Sequence, residues 1–457
     1  MTSSTSSWSS STGGSTATSV GCSSDINRSI PSEHLKGAFP RRAGMDREGE
    51  DSRDADASRS DLRLAILSRG PRLYSTRRLV EEARKRGLDP YVADPMKFSL
   101  FVADGRIDVL HNGEPFNFDA VIPRIGHSIT KHGVAVLRHL EQLGIWTANS
   151  GVGILQSRDK LHASQILARN RLPVPRTTYV RDIIDVETAV DFVGGLPVVI
   201  KVTQGTQGQG VFLRHTLRES QNLVQGLLLT GRAVLVQEYI AESHGKDIRA
   251  LVVGDRVVAS MRRKARGREF RSNYHLNGTV EKVDLPPEYE EAACRAARVL
   301  GLHVAGVDLL EAEDGPLVLE VNSSPGLEGI EKASGVNVAG AIIDYVMSET
   351  EFSEVDLDQL LRTVPGSGVL SLQIRNHPNV VGKRLASLFK AGAEIPVFAL
   401  SRDNALIWNP SDEIQLRWDD ILVCYGELTK LRASLRQAIL DVPSDAFSVE
   451  DREGSNA

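Results

Sequence analysis

The sequence predicts a mixed α/β protein with three structured units, and three patterns along the chain support this prediction. Strands and helices alternate from Leu62, beginning with "LRLAILSRG" and the helix-like "STRRLVEEARKRG". From Leu155 onward, the hairpins "RALVVGDRVVASMRR" and "HVAGVDLLEAEDGPLVLEVNSSPG" predict a mostly antiparallel sheet with flanking helices. Beyond an acidic linker, apolar strands such as "VLSLQIR" and "IPVFALSRD" precede a closing helix. Alternation of this kind is typical of α/β and α+β domains.

Shifts in composition divide the chain into six segments. We expect residues 1–60, rich in Ser, Thr and mixed charge, to be disordered, because they bury too little apolar surface to offset the entropy lost on ordering. A start of translation at Met45 stays open as an alternative. The other segments are an α/β domain over 61–152, a larger α+β domain over 153–348, a linker over 349–364, a small βα domain over 365–440 and a flexible tail over 441–457.

Composition excludes several classes of protein. The 457 residues are 41% hydrophobic and 25% charged, as in ordinary globular proteins. A formal net charge of −5 argues against direct binding of nucleic acid. Cys22, Cys294 and Cys424 have no metal-type spacing and indicate a reducing compartment. No apolar run approaches the ~18 residues of a membrane span. We therefore expect a cytoplasmic protein with no membrane partner.

The stretch "VVIKVTQGTQGQGV", residues 198–211, predicts a strand that ends near Lys201 and runs into a glycine loop. Gly205, Gly208 and Gly210 would let backbone N–H groups approach an anion without obstruction by side chains. Their spacing matches neither the Walker pattern nor the dinucleotide pattern. Phosphate binding and a flexible surface hairpin both remain open for this stretch taken alone.

A second group of polar residues lies in the hairpin from residue 303 onward. Asp308 is predicted to close one strand, and Glu320 and Asn322 lie two apart on the next. Alternate residues of a strand face the same way, so Glu320 and Asn322 should project together, with Asp308 joining them across the turn. Carboxylate and amide oxygens suit Mg²⁺ or Mn²⁺. The alternative is a hydrophilic strand edge.

Two further stretches are weaker signals. "QEYI" ends a strand at a hinge, where backbone groups beside Tyr239 could meet an adenine edge and Asp247 could accept from a ribose hydroxyl. A strand end and a solvated turn would explain the same residues. The basic run "RRKARGREFRSN" is typical of a solvated hairpin, although Arg271 could stabilise charge on a transferring phosphoryl group.

Together these stretches resemble the ATP-grasp superfamily and, within it, the ribosomal-protein glutamate ligases of the RimK type. The resemblance runs from Leu64 to about Met347. It implies an ATP-grasp fold preceded by an α/β pre-ATP-grasp domain. The stretches that carry it are "AILSRGPRLYS", "FDAVIPRIG", "RDKL", "VVIKVTQGTQGQGV", "VQEYI", "DIRALVVGDRVVA", "FRSN", "AGVDLL" and "LEVNSSPGLEGIEKASG".

The resemblance also implies roles for particular residues. Lys160 and Lys201 would contact ATP phosphates beneath the glycine loop, and the backbone of Glu238 and Tyr239 would hold the adenine. The remaining roles would be nucleotide binding by Asp247, contact with the phosphate and acyl end by Arg271, Ser272 and Asn273, and coordination of two divalent ions by Asp308, Glu320 and Asn322. We expect loss of Asp308 or Glu320 to abolish activity with the fold largely intact.

The reaction implied by the resemblance is ATP-dependent carboxylate–amine ligation. An acceptor carboxylate attacks the γ-phosphate to give an acyl phosphate, and the amine of L-glutamate then displaces phosphate. The implied acceptor is the C-terminus of a small-subunit ribosomal protein, and relatives use other carboxylates. The basic run 262–268 could hold the acidic growing tail.

The C-terminal segment resembles another family, the TrkA-C regulatory domains of potassium-transport regulators. The stretches that carry this resemblance are "NVVGKRLASL" and "IPVFALSRDNALIWNPSDEIQLRWDDILVCYG". It implies a small regulatory ligand or pairing with a second copy, and hence a homo-oligomer. Three hypotheses follow: a glutamate ligase with an added sensor domain, a non-catalytic ATP-sensing regulator of ion transport, or a ligase with a small-molecule or other protein acceptor.

Overall fold

The computed structural model describes residues 62–202, 210–265, 270, 278–351, 366–388, 396–403 and 405–440. The predicted disordered start, most of the linker and the tail lie outside these residues. The chain divides into two units, Met1–Glu351 and Phe352–Ala457. Helices and strands are both abundant in the described residues, which confirms the predicted mixed α/β class.

In the described part of the first unit, strands and helices alternate in chain order. The strands are β1 (Leu64–Leu67), β2 (Tyr91–Ala93), β3 (Phe98–Ala103), β4 (Arg106–His111), β5 (Glu114–Pro115), β6 (Ala120–Pro123), β7 (Trp146–Thr147), β8 (Thr177–Val180), β9 (Val198–Val202), β10 (Val211–Arg214), β11 (Val234–Glu238), β12 (Lys246–Val253), β13 (Arg256–Lys264), β14 (Thr279–Lys282), β15 (Val304–Ala312) and β16 (Gly315–Asn322). The helices are α1 (Tyr74–Lys85), α2 (Thr130–Gln142), α3 (Gly151–Arg158), α4 (Lys160–Arg169), α5 (Val186–Phe192), α6 (Leu217–Leu229), α7 (Pro287–Val299), α8 (Glu328–Ser334) and α9 (Val338–Glu351).

The first unit begins with a parallel sheet in the order β2-β1-β6-β7. All four residues of β1 are fully buried, and this explains why "LAIL" shows no alternation of polar and apolar residues. β1 pairs with β2 on one side and with β6 on the other. A small antiparallel sheet, β3-β4-β5, is inserted between β2 and β6. This sheet was not predicted from the sequence, and its strand β3 is exposed along most of its length.

Two antiparallel sheets follow, with orders β10-β9-β11-β8 and β14-β13-β12-β15-β16. Both predicted hairpins are confirmed. β12 turns into β13 at Gly254-Asp255, where Gly254 has φ +60°, and β15 turns into β16 at Glu313-Asp314. Helix α7 packs its alanine-rich face on the five-stranded sheet, and the core below it includes Ala293, Ala296 and Val307. Lys201 on β9 and Glu320 on β16 are close enough to interact electrostatically, although they belong to different sheets.

The second unit contains one antiparallel sheet in the order β17-β20-β18-β19. Its described elements are β17 (Ser367–Gln373), β18 (Val397–Arg402), β19 (Ala405–Trp408), β20 (Ile421–Glu427) and α10 (Leu428–Leu440). Leu400, Leu422, Cys424 and Leu431 are buried in one cluster, which gives this unit a core of its own. Among the described residues of both units, no helix combines the length and the apolar character that crossing a bilayer requires.

Candidate active site

The predicted carboxylate and amide side chains lie together on β15 and β16. Asp308 pairs with Glu320 in the strand register, and Gly306 pairs with Asn322. Nδ2 of Asn322 lies 3.3 Å from Oε1 of Glu320 and 3.5 Å from Oδ2 of Asp308. Asp308 does not close its strand as the sequence predicted. It lies in the middle of β15, at a bulge between Asp308 and Leu309.

Asp308 is the buried centre of an ion-pair network. Its two oxygens accept from Nε and Nη2 of Arg249 at 2.6 and 2.7 Å, and Oδ2 also accepts from Nη2 of Arg263 at 2.8 Å. Burial would raise the pKa of Asp308, yet the two guanidinium groups hold it well below its usual range. Asp308 is therefore a fixed anion.

Asp247 closes the network on the other side of Arg263. It is buried, and both of its oxygens accept from Arg263, at 2.6 and 2.5 Å. A contact of Asp247 with ribose stays a prediction. In the structure this carboxylate holds the guanidinium that in turn holds Asp308.

The described part of the basic run is neutralised, so it does not form the open basic surface that the sequence suggested. Arg263 is buried in the network just described. Arg262 pairs with Glu311 at 2.7 Å, and Lys264 pairs with Glu281 at 2.8 Å. Arg266 and Arg268 lie outside the described residues.

Glu320 differs from Asp308 in charge environment. It reaches solvent, yet the surrounding protein and the charge of Asp308 raise its pKa, while Arg249 and Lys201 oppose that shift. Arg249 and Lys201 therefore offset only part of the cost of placing the negative charge of Glu320 next to that of Asp308. A bound cation would supply the remaining compensation.

Lys201 faces this point from β9. Burial lowers the pKa of Lys201 to about 8; the carboxylate of Glu320 opposes the shift and the positive charge of Lys160 adds to it. Lys160 and Lys201 are therefore close enough to repel each other. Two cations beside a cluster of oxygen ligands suit a polyphosphate whose charge is shared with metal ions.

Lys160 is the first residue of α4, after a break between two helices that was not predicted from the sequence. A single helix was predicted over "LQSRDKLHASQILARNR", but α3 ends at Arg158 and α4 begins at Lys160. Asp159 is extended between them, and its side chain accepts from the His162 N–H at 3.0 Å as an N-cap. The aspartate in "SRDKL" could have indicated this break, because Asp is a preferred N-cap residue.

The glycine loop is described only at its end. Gly210 has φ +76°, and a Cβ there would lie 2.3 Å from Cγ2 of Val202, so only glycine fits without displacing that side chain. Its carbonyl accepts from the Val202 N–H at 3.0 Å, which closes the loop next to Lys201. Gly205 and Gly208 lie outside the described residues, and their role stays a prediction.

Several groups of Glu238 and Tyr239, at the hinge after β11, already have partners within the protein. The Glu238 N–H donates to the Arg176 carbonyl at 2.9 Å, and the Glu238 carboxylate pairs with Arg176 at 2.7 Å. The phenolic oxygen of Tyr239 hydrogen-bonds Nδ1 of His244. A contact of this backbone with adenine stays a prediction, and the N–H of Glu238 already has a partner. Arg271, Ser272 and Asn273 lie outside the described residues, so their predicted roles are untested.

The oxygen donors fit a divalent metal ion. The amide of Asn322 lies within hydrogen-bond distance of both carboxylates, and burial together with the charge of Asp308 raises the pKa of Glu320. Oδ1 of Asp308 accepts from one arginine N–H and keeps a second lone pair, whereas Oδ2 accepts from both Arg249 and Arg263. The described residues contain no group of three or more His, Cys, Asp and Glu side chains placed to hold a metal ion, so the amide of Asn322 is needed to complete this donor set.

Comparison with known families agrees with this geometry. Residues 62–154 match the family described as RimK PreATP-grasp domain, and residues 157–346 match the RimK-like ATP-grasp domain. A protein from Rhodopirellula baltica named "Probable alpha-L-glutamate ligase" is 47% identical over 379 residues, covering 83% of this chain and 94% of that protein. The chain belongs to the RimK-like ATP-grasp family. It is an ATP-dependent ligase.

Shorter members of the RimK-like family match only part of this chain. A protein of the same name from Ectopseudomonas mendocina is 47% identical over 291 residues, covering 64% of this chain and 97% of that protein. The match to the Rhodopirellula protein, at 379 residues, is longer than the 351-residue first unit. It therefore extends into the second unit, which that relative shares at least in part.

A solved structure supports the fold of this RimK-like chain. The ATP-grasp ligase PsnB, complexed with a phosphomimetic variant of its minimal precursor, Mg and ADP, aligns with a TM-score of 0.51 and 22% identity. The alignment covers 64% of this chain and 99% of PsnB. The predicted ATP-grasp fold is thereby confirmed. ATP-grasp ligases use ATP and Mg²⁺, and the donor set around Glu320 suits that ion.

Replacing Lys201 with alanine should weaken ATP binding about 10- to 100-fold, the range for loss of one charge-assisted contact. Stability should not fall, because burial already disfavours the charged form of Lys201. Calorimetry with a non-hydrolysable ATP analogue and Mg²⁺ measures the affinity. Lys282→Ala, which removes an exposed lysine on β14, is the matched control. Equal losses in both variants, or none in Lys201→Ala, would refute the phosphate contact.

Proposed function

We propose that this ligase adds L-glutamate to an acceptor carboxylate through an acyl-phosphate intermediate. The observation that carries the proposal is the electrostatic interaction of Lys201 with Glu320, which itself lies beside Asn322 and Asp308. Lys201 lies on β9 of one sheet, and the carboxylate and amide groups lie on β15 and β16 of another. Support for glutamate comes from relatives named alpha-L-glutamate ligase at 47% identity.

The residues of this chain serve binding and orientation in the proposed reaction. Lys160 and Lys201 hold negative charge on the phosphates, and Arg249 and Arg263 hold Asp308 ionised at a fixed position. Divalent ions bound at Asp308, Glu320 and Asn322 would neutralise charge that develops on the transferring phosphoryl group. No side-chain nucleophile is needed, since the acceptor carboxylate attacks the γ-phosphate and the glutamate amine then displaces phosphate.

The proposed acceptor is the C-terminus of a small-subunit ribosomal protein. Purified ribosomal proteins, incubated with the enzyme, ATP, Mg²⁺ and L-glutamate, should gain mass in steps of one glutamate residue on a single protein. ADP should appear only when both glutamate and acceptor are present. Mass gain on a different protein would keep the ligase and replace the acceptor. ATP binding with no ADP formation under any of these conditions would instead favour the non-catalytic ATP-sensing regulator.

The second unit is proposed to regulate the ligase or to pair two copies of it. Its separate core supports this role, as does its partial presence in a relative named as a glutamate ligase. The TrkA-C resemblance and a small regulatory ligand remain part of the proposal. The alternative of a non-catalytic regulator of ion transport draws no support from the relatives' names.

Deleting residues after Ser353 should leave a folded and active ligase of smaller assembly size. The site residues all precede this point, and the two units have separate cores. Light scattering would report the assembly, and ADP release would report activity. If the truncated protein keeps its circular dichroism spectrum but is inactive under every condition, the second unit takes part in catalysis and the regulatory proposal fails.

A further inference from the structure

The loop that follows β16 is fastened to the parallel sheet of the first unit. Arg124, directly after β6, donates from Nη2 to the Pro325 carbonyl at 2.7 Å. Asn149, after β7, donates to the Ser323 carbonyl at 2.9 Å. Loops at the carboxyl ends of parallel strands are where open α/β sheets bind ligands. Loop 323–327 therefore contacts the carboxyl-terminal edge of the parallel sheet and follows directly after Asn322, a proposed metal ligand.

Arg124 is a recessed cation with no carboxylate partner among the described residues. The contact with Pro325 is the one hydrogen bond of its guanidinium within the residues that the structure describes, and the guanidinium forms no ion pair with any of them. A guanidinium has five N–H donors, so most remain unused. Burial lowers the pKa of Arg124 to about 10, and no nearby negative charge opposes the shift. Arg249 and Arg263, by contrast, are each held by carboxylates.

Two hydroxyl groups in the loop that Arg124 contacts also lack hydrogen-bond partners among the described residues. Oγ of Ser323 and Oγ of Ser324 are buried and have no hydrogen-bond partner among the described residues. Ser323 is only 3% exposed, and it lines one small cavity together with Arg124 and Asn149. Asn149 is fully engaged, because its oxygen accepts from the His303 and Val304 N–H groups. Among the described residues, these two hydroxyls and most N–H groups of the Arg124 guanidinium are therefore donors without an acceptor.

We propose that Arg124, Ser323 and Ser324 form a subsite for a substrate carboxylate that does not react. The inference rests on the proposed glutamate ligation, in which free glutamate and a glutamate-ended acceptor both carry carboxylates that stay unchanged. A guanidinium can bind a carboxylate with two parallel hydrogen bonds, and the hydroxyls can donate to it as well. Because Ser323 follows Asn322 directly, a carboxylate held here orients its substrate next to the metal-binding residues.

Ser323→Ala provides the sharpest test. The change removes a buried hydroxyl that has no described partner, so the melting temperature of the ligand-free protein should stay the same or rise. Affinity for the carboxylate substrate should fall about tenfold, the effect of losing one hydrogen bond to a charged group. Calorimetry in the presence of a non-hydrolysable ATP analogue and Mg²⁺ would use L-glutamate and, separately, a peptide ending in glutamate.

Arg124→Gln should weaken binding of the same ligand by about tenfold or more. Added methylguanidinium should restore part of the affinity, which a purely structural role of Arg124 would not allow. Arg77→Gln, on the exposed side of α1 with Glu81 as partner, is the matched control and should bind normally. The ligand whose affinity falls identifies the source of the carboxylate, either the incoming glutamate or the acceptor.

The outcomes separate the subsite from the reaction. If the wild-type protein binds neither ligand, or if Ser323→Ala and Arg124→Gln bind both as tightly as wild type, the subsite is refuted. Ligation by the wild-type protein in a parallel assay would leave the proposed function standing in either case. Binding that depends on Ser323 and Arg124 without any ligation would support the subsite and refute the proposed reaction.

Discussion

Glu320→Gln should reduce ligation by roughly 10³-fold, because losing the carboxylate proposed to bind a metal ion removes several kcal/mol of transition-state stabilisation. The fold should not suffer. The charged form of Glu320 is already disfavoured beside Asp308, as its raised pKa shows, so a neutral side chain of the same shape relieves repulsion. The rate of ADP release, measured with saturating ATP and acceptor, and thermal unfolding without Mg²⁺ together test this expectation.

Glu313→Gln is the matched control for Glu320. It removes a carboxylate from the exposed turn of the same hairpin and should leave both rate and stability unchanged. Retained activity in Glu320→Gln at ordinary Mg²⁺ concentrations would refute the metal assignment. A large loss of stability in Glu320→Gln would show instead that this carboxylate belongs to the structural network.

Asp308→Ala should destabilise the folded protein by about 3–5 kcal/mol in addition to abolishing ligation. The sequence alone suggested that the fold would survive this change largely intact. The structure leads to the opposite expectation, because Asp308 is 1% exposed and neutralises Arg249 and Arg263. Removing one partner leaves buried guanidinium charge uncompensated. The midpoint of chemical denaturation should fall accordingly.

Asp255→Ala is the control for this stability effect. Its ion pair with Arg298 is exposed on both sides, so its loss should cost less than about 1 kcal/mol. If Asp308→Ala unfolds at the same denaturant concentration as wild type, the buried network does not stabilise the fold. Activity loss in that variant would then report on metal binding alone.

Local sequence patterns predicted the parts of the site that lie within one hairpin. Glu320 and Asn322 were placed on one face because side chains of a strand repeat every two residues, and their side chains are 3.3 Å apart. The turn at Gly254-Asp255 was also evident from its residues. These features depend on neighbours in the chain, which a sequence displays directly.

The buried arginines could not be predicted in this way. Arg249 lies opposite Asp308 because β12 pairs with β15, and Arg263 lies opposite Asp247 because β12 also pairs with β13. The first contact follows from the order of strands in the sheet, which the sequence does not show. The second lies within the predicted hairpin, but its register depends on a bulge between Leu251 and Val252 that the sequence does not show either. Arg263 therefore looked like part of a solvated basic run. The break before Lys160 was missed for a simpler reason, since Asp159 is a cap within an otherwise helical pattern.

The central claim is ligation through an acyl phosphate, and the transfer of oxygen tests it most directly. Each addition of glutamate creates an acceptor that ends in glutamate, so a peptide ending in glutamate, with ¹⁸O in its α-carboxylate, is a suitable probe. Attack of this carboxylate on the γ-phosphate, followed by displacement by the amine, predicts ADP and inorganic phosphate carrying one ¹⁸O per peptide bond formed. Unlabelled phosphate, or AMP with pyrophosphate in place of ADP, would contradict the account.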